Sequence, residues 1–332
     1  MKIKFLVSIC FLGWINQYSN GIPAASATAL SLSTANNLNP AANSFVPSIF
    51  HFVSNVERVS SKQMTAGFSC YSDTINGNGY PKKLASEYEA PSSYPGLSLK
   101  WSDEFNGGKL NEKTWSYETG NSGWGNSELE NYTNSPKNCF VTKDGYLVIE
   151  ARKEKVGNNI YYTSARLQTK GKKEFKYGRM DIRAKLPKGQ GLWPAIWMLG
   201  SNISTTSWPG CGEIDIMELL GDEPNKVYGT MHWGKPGGGS THVGGTYTLP
   251  AGDFSQKFHV FSIQWDSTKI EWFVDGNKYF TGKKSDVNGN YPFDQPFFFL
   301  LNVAVGGNWP GNPDASTVFP QKMIVDYVRV FQ

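Results

Sequence analysis

The residues from about 96 to 332 predict an all-β fold. Short runs of alternating apolar and polar residues follow one another there, separated by Gly, Asn, Asp and Pro, the pattern of strands joined by turns. Aromatic residues make up 14% of the 332-residue chain, with 11 Trp and 16 Tyr, and 35 Gly supply turns, a composition suited to pleated, half-buried surfaces. No stretch of helical period reaches helix length with caps at both ends. A single domain of this size built from turn-separated strands folds as a sandwich or a barrel.

The chain opens with Lys2 and Lys4, then an apolar run over residues 5–15, then polar residues 16–20. This is the tripartite form of a secretory signal over residues 1–21, and its apolar part is too short to span a bilayer. Cleavage falls near Gly21 or after a small-residue triplet between Ala24 and Ala29. The expected location is secreted or extracellular, or periplasmic, and no later run is long and apolar enough for a membrane helix. Residues 22–95 change character: Ser, Ala and Asn dominate and periodicity is lost, which predicts a linker or pro-segment.

Strand signals begin at residues 97–101 (LSLKW), before a turn at Asn106–Gly107–Gly108. Residues 139–151 (CFVTKDGYLVIEA) predict a hairpin about Asp144–Gly145, and residues 269–280 another about Asp275–Gly276. In residues 178–186, Arg179, Asp181, Arg183 and Lys185 alternate with Met180, Ile182, Ala184 and Leu186, which reads as a half-solvated outer strand. Residues 296–305 (PFFFLLNVAV) are almost wholly apolar, as in a strand buried on both faces. Residues 323–331 close the fold. The Gly-rich residues 234–245 (GKPGGGSTHVGG) predict a mobile rim loop.

Charge excludes some functions. The net charge is +4 from 32 basic and 28 acidic residues, and the densest basic run, residues 170–176 (KGKKEFK), reads as a solvated hairpin. Nucleic acid is therefore not an expected partner. Three cysteines, Cys70, Cys139 and Cys211, follow the signal; an odd number leaves at least one free thiol or an intermolecular bond, with Cys139–Cys211 one open pairing. No Cys/His spacing suggests zinc.

Residues 211–221 (CGEIDIMELLG) carry the chemistry. In a regular strand Glu213, Asp215 and Met217 share one face and Glu218 lies on the other. If a β-bulge absorbs one residue near Ile216–Met217, Glu218 joins Glu213 and Asp215. A solvent-facing strand edge and a helix stacking Glu213 on Met217 are the alternatives, and the β-branched Ile214 and Ile216 between glycines argue for strand. Three adjacent carboxyls push at least one pKa upward, and retaining glycoside hydrolysis uses one ionised and one protonated carboxyl.

This stretch resembles the signature of glycoside hydrolase family sixteen, in the form with the extra residue found in its laminarinase-like endo-β-1,3-glucanases. The resemblance continues through WPAIWM before it and YGTMHW after it, and covers about residues 97–332. It implies a β-jelly-roll sandwich of two antiparallel sheets with a concave glycan cleft, acting as a monomer on β-glucan. It further implies that Glu213 is the nucleophile, Glu218 the acid/base and Asp215 the assisting carboxylate. Trp193 and Trp197 become stacking residues, Asn126, Arg166 and Trp124 sugar or carboxylate contacts, and His232 a support beside Asp215. Glu104, Gly145 and Asp326 match positions where such proteins hold a structural calcium ion, an ordinary pair of ion-paired acids being the other reading. No cofactor is implied for the chemistry. Endo-transglycosylases, mixed-linkage glucanases and non-catalytic glucan-binding proteins share the fold, and mixed-linkage glucan, agar and carrageenan are competing substrates.

Overall fold

The computed structural model describes residues 87–332. The expected signal over residues 1–21 and the segment up to residue 86 lie outside the described residues.

The described chain forms β1 (Leu99–Asp103), β2 (Ser116–Glu118), β3 (Glu130–Tyr132), β4 (Cys139–Val141), β5 (Leu147–Val156) and β6 (Asn159–Ser164). It continues through β7 (Arg166–Gln168), β8 (Glu174–Phe175), β9 (Gly178–Lys185), β10 (Leu192–Gly200), β11 (Glu213–Leu219) and β12 (Lys226–Gly234). It ends with β13 (Ser240–Thr248), β14 (His259–Trp265), β15 (Lys269–Val274), β16 (Asn277–Lys283), β17 (Phe297–Val305) and β18 (Gln321–Phe331). The one helical element among the described residues is a single 3-10 turn at Lys284–Asp286.

Two sheets form the expected jelly-roll sandwich. One runs β16-β15-β14-β9-β18-β5-β6-β3, with β1 beside β18 and β4 beside β5; the other runs β13-β12-β11-β10-β17-β7-β2, with β8 beside β17. Pairing is antiparallel except between β3 and β6, which run parallel. Ile182, Ile196, Ile214, Met231, Ile263, Trp272, Phe299 and Val328 meet between the sheets in one core. β17 is buried at every position, as its apolar run required. The two hairpins form where Asp144–Gly145 and Asp275–Gly276 placed them; Asp275 and Gly276 both hold positive φ, the conformation that a tight two-residue strand connection demands.

Three expectations need correction. β9 is not half-solvated: Arg179, Asp181 and Arg183 are all buried. The cover is the segment just before β1, which the sequence assigns to the linker ending at residue 95. Glu87 pairs with Arg183 Nη2 at 2.6 Å, the Tyr88 carbonyl accepts from Arg183 Nε, and Tyr94 Oη donates to Asp181 Oδ2 at 2.6 Å. Arg183 also pairs with Asp326 at 2.7 Å. The body of the fold therefore begins by residue 87 instead of 96. Its polar sequence hid this, because it is held by ion pairs and hydroxyls instead of by an apolar face.

The Gly-rich rim is a hairpin as well. Ser240–Thr248 is strand β13, with Gly244 opposite Thr230 and Gly245 opposite Gly229. A Cβ on Gly244 would lie 2.8 Å from the Gly229 carbonyl and one on Gly245 2.6 Å from Phe280 Cβ, so the glycines permit close packing where they were read as loosening the chain. Cys139 and Cys211 are both buried free thiols, and that open pairing is not made.

Candidate active site

The acids lie on β11, and their common direction comes from a bulge. From Asp215 to Glu218 β11 advances three residues while β12 passes from Thr230 to Tyr228, two; from Asp215 to Met217 it advances two while β10 passes from Trp197 to Ile196, one. The extra residue is Ile216. Ile214, Ile216 and Met217 all enter the core, at 1% exposure or less. A regular strand would have turned either Ile216 or Met217 outward, so burying both neighbours favours the bulge. Glu213, Asp215 and Glu218 then line one cavity of about 920 Å³ on the outer face of their sheet.

Every site residue expected from the sequence, the metal set apart, lines that cavity: Trp124, Asn126, Arg166, Trp193, Trp197, Glu213, Asp215, Glu218 and His232. The Trp193 indole Nε1 donates to Glu218 Oε1 at 3.0 Å, so this ring both walls the cleft and orients a carboxyl. Trp197 Nε1 donates to Asn302 Oδ1 at 2.7 Å. Arg166 lies between the rings of Trp124 and Trp197, 4.7 and 4.8 Å from their centroids, and its Nε donates to Glu118 at 2.6 Å. It acts on Glu213 as a nearby positive charge. His232 Nε2 lies 3.2 Å from Asp215 Oδ2 and 3.8 Å from Glu213 Oε1.

Burial raises the pKa of all three acids, and the charges of neighbouring carboxylates add to it for Glu213 and Glu218. Glu213 is pushed up to about 8 by desolvation and then by the Asp215 charge, against the pull of His232, Arg166 and the Trp208 N–H. Desolvation also raises Asp215. Glu218 is raised well above the usual range by desolvation and the charges of Asp215 and Glu213. The carboxyl that keeps its proton best is thus Glu218. Glu213, 17% exposed and facing the positive groups, is the one drawn toward ionisation.

A second carboxyl pair supports the floor. Asn126 Nδ2 donates to Glu128 Oε1 at 2.9 Å, Tyr132 Oη to Glu128 Oε2 at 3.3 Å, and Asn302 Nδ2 to Tyr132 Oη at 3.0 Å. This chain of bonds reaches Trp197 through Asn302. Glu130 beside it is fully buried, accepts from the Val305 N–H, and is raised to about 9 by desolvation and the Glu128 charge. The native state therefore holds the Glu130 proton where the unfolded chain, with its pKa near 4.5, has released it. Stability falls as pH rises from about 4.5 toward 9. Glu130→Gln removes that loss. Its melting temperature relative to the parent is expected to climb between pH 5 and pH 9 by at least about 2–4 °C, the shift that 1 kcal/mol makes in a domain of this size. A pH series of thermal melts checks this, and parallel curves would refute the buried-proton assignment.

The residues matched to a calcium site lie elsewhere. Glu104 holds Arg329 through both carboxylate oxygens at 2.8 Å, and Asp326 Oδ2 holds Arg183. The Glu104 carbonyl lies 3.6 Å from where a Gly145 Cβ would stand, with Asn106 Oδ1 also close. The oxygens that meet there are a main-chain carbonyl and a side-chain amide. The carboxylates are committed to guanidinium groups.

Sequence reasoning missed Glu128, Trp208, Tyr228, Thr230, His242, Asn302 and Trp309, which also line the cleft. Trp309 stands edge-on to Trp193 and Tyr228, at 5.4 and 4.9 Å. Its surroundings, GGNWPG, were a usable signal, because an indole in a Gly/Pro turn has no core to enter. His242 becomes visible only through the β12–β13 register, which sets it opposite His232.

A β-sandwich with a carboxyl row crossing an indole-walled groove defines a carbohydrate-cleft protein with the acid pair of a glycosidase. Residues 126–329 match the model of glycosyl hydrolases family 16. The chain belongs to that family.

Its relatives agree. "Glucan endo-1,3-beta-glucosidase A1" of Niallia circulans is 42% identical over 261 residues, covering 71% of this chain and 38% of that protein. The chain thus spans less than half the length of that relative. "Beta-glucanase" of Rhodothermus marinus is 42% identical over 259 residues, 72% of this chain and 86% of that one. The crystal structure of the laminarinase catalytic domain of Thermotoga maritima has a TM-score of 0.64 at 51% identity, covering 71% of this chain and 98% of that domain.

Proposed function

We propose that the protein is an exported, endo-acting β-1,3-glucan hydrolase that retains anomeric configuration. The observation that carries the reading is the bulge at Ile216, which turns Glu213, Asp215 and Glu218 into one groove. Glu213 attacks the anomeric carbon while Glu218 gives its proton to the leaving oxygen, forming a glycosyl-enzyme. Glu218, now a carboxylate, takes a proton from water, which attacks the same carbon and releases Glu213. Once Glu213 is an uncharged ester, its repulsion of Glu218 is gone and the Glu218 pKa falls, as its change from acid to base requires. His232 lies beside Glu213 and favours its charged form, whereas the Asp215 charge opposes it, Asp215 taking the part of the assisting carboxylate between the two glutamates; Trp193, Trp197 and Trp309 offer faces for sugar rings.

The names of the relatives support β-1,3-glucan as substrate, and the basic, then apolar, N-terminus supports export. A structural calcium ion at Glu104, Gly145 and Asp326 would have to be held by main-chain and amide oxygens, since the two carboxylates are committed to Arg329 and Arg183, and it would stabilise the fold without entering the chemistry. The test is a digest of laminarin, lichenan and agarose side by side, with products sized and their anomers followed by NMR. Laminarin is expected to give short oligosaccharides from the start, appearing first as the β-anomer. The pattern should be unchanged by EDTA, while the melting temperature falls when calcium is withdrawn. Preferential cleavage of agarose, or an α-anomer appearing first, would overturn substrate or mechanism respectively.

A further inference from the structure

Trp208 stands outside the strands, on the connection between β10 and β11, and its ring is 42% exposed. Exposed indoles in a glycan cleft are ordinarily stacking surfaces, their N–H left to water. Here the N–H is committed: Trp208 Nε1 donates to Glu213 Oε2 at 3.1 Å, the one short side-chain hydrogen bond to that carboxylate among the described residues. The other oxygen, Oε1, faces His232 Nε2 at 3.8 Å, beyond hydrogen-bonding distance.

The connection that carries Trp208 is itself seated. Gly237 N–H donates to the Trp208 carbonyl at 3.1 Å, from the tip of the β12–β13 hairpin. A Cβ on Gly210 would stand 2.6 Å from Pro236 Cγ, and one on Gly234 2.8 Å from Pro209 Cγ. The two loops are packed backbone against proline ring, with no space for side chains. This accounts for a Gly/Pro tip that β-pairing alone does not need.

We propose that Trp208 is a positioning residue for the reaction: its indole N–H fixes the Glu213 carboxylate in the line of attack, and the hairpin tip at residues 235–239 fixes Trp208. The inference rests on the assignment of Glu213 as nucleophile. A donated N–H favours the charged form of a carboxylate, so it also helps Glu213 stay ionised. The groups that face Glu213 from its surroundings are Asp215 and Glu218 on its own strand, Cys211 just before it, His232 on β12 with the tilted ring of His242 5.1 Å away, and Arg166 on β7. Trp208→Phe keeps the ring, and with it stacking, while removing only the donor.

The experiment is the pH dependence of laminarin hydrolysis by the full-length protein, its Trp208→Phe and Gly210→Ala variants, and Glu213→Gln. Trp208→Phe is expected to lower kcat by about tenfold to a hundredfold with KM little changed. The acid limb of its kcat/KM profile moves up by about one pH unit. Gly210→Ala, which forces the two loops apart, moves the limb the same way by less. A raised KM with an unmoved acid limb makes Trp208 a stacking surface and overturns the proposal, as does a variant indistinguishable from the parent. An unmoved limb in Gly210→Ala overturns the seating by the hairpin tip. Substantial activity in Glu213→Gln would refute the nucleophile assignment instead, so the two failures are read from different variants.

Discussion

Glu213→Gln is expected to release reducing sugar from laminarin at least about 10⁴-fold more slowly than the parent, a loss of roughly 5.5 kcal/mol of transition-state stabilisation. The amide keeps the size of the side chain and can still meet Trp208 and His232, but it cannot form the glycosyl ester through which a retaining hydrolase divides the reaction. The fold should survive, and its stability gives a second reading. A carboxyl whose native pKa is raised costs stability above its unfolded value near 4.5, where the unfolded chain has ionised and the native state resists doing so. Replacing it by a neutral amide removes that cost, so at pH 7 the melting temperature of Glu213→Gln should equal or exceed that of the parent. A dead variant that melts several degrees lower would mean that Glu213 is a structural residue. An active variant would mean that the carboxyl row is not the reaction centre. A Glu213→Gly variant given azide and an activated aryl laminarioside adds a stereochemical check: azide attacks from the vacated side, and the product is the α-azide.

The parts of this molecule that follow local rules were legible in the sequence. The hairpin turns at Asp144–Gly145 and Asp275–Gly276, and the buried β17, are written in residue types whose preferences act over a few positions. The bulge was legible only as an alternative, because period-two reading places Glu218 on the wrong face. Two adjacent apolar residues, Ile216 and Met217, hold the reason, and only burial of both decides it. What stayed hidden depends on distant partners. Arg179, Asp181 and Arg183 read as solvated because nothing near them in sequence reveals that Glu87, Tyr88 and Tyr94 cover them. The glycines of β13 read as slack because their near neighbours, the Gly229 carbonyl and Phe280, belong to other strands. Trp208 was overlooked for a similar reason: it lies five residues before Glu213, and only the loop that folds it back makes it a partner.

Glu218→Gln should separate the two halves of the mechanism. On laminarin the loss should again be severe, because a sugar alkoxide is a poor leaving group without a proton from Glu218. On a 2,4-dinitrophenyl laminarioside the departing phenolate needs no proton, so the first step should stay close to the parent rate. Hydrolysis of the glycosyl-enzyme still needs a base, and the intermediate should accumulate after a burst of dinitrophenolate, with a lowered KM. Azide requires no base; it should restore turnover and give the β-azide, the opposite anomer from the Glu213→Gly experiment. The pH profile carries the same logic. On the proposed roles, activity of the parent should rise as Glu213 ionises and fall as Glu218 loses its proton, whose release burial and the charges of Asp215 and Glu213 delay. In Glu218→Gln the alkaline fall should vanish from the aryl-glycoside kcat/KM profile while the acid limb stays. Survival of the alkaline fall would assign the acid to another group, and loss of the acid limb in its place would exchange the roles of the two glutamates.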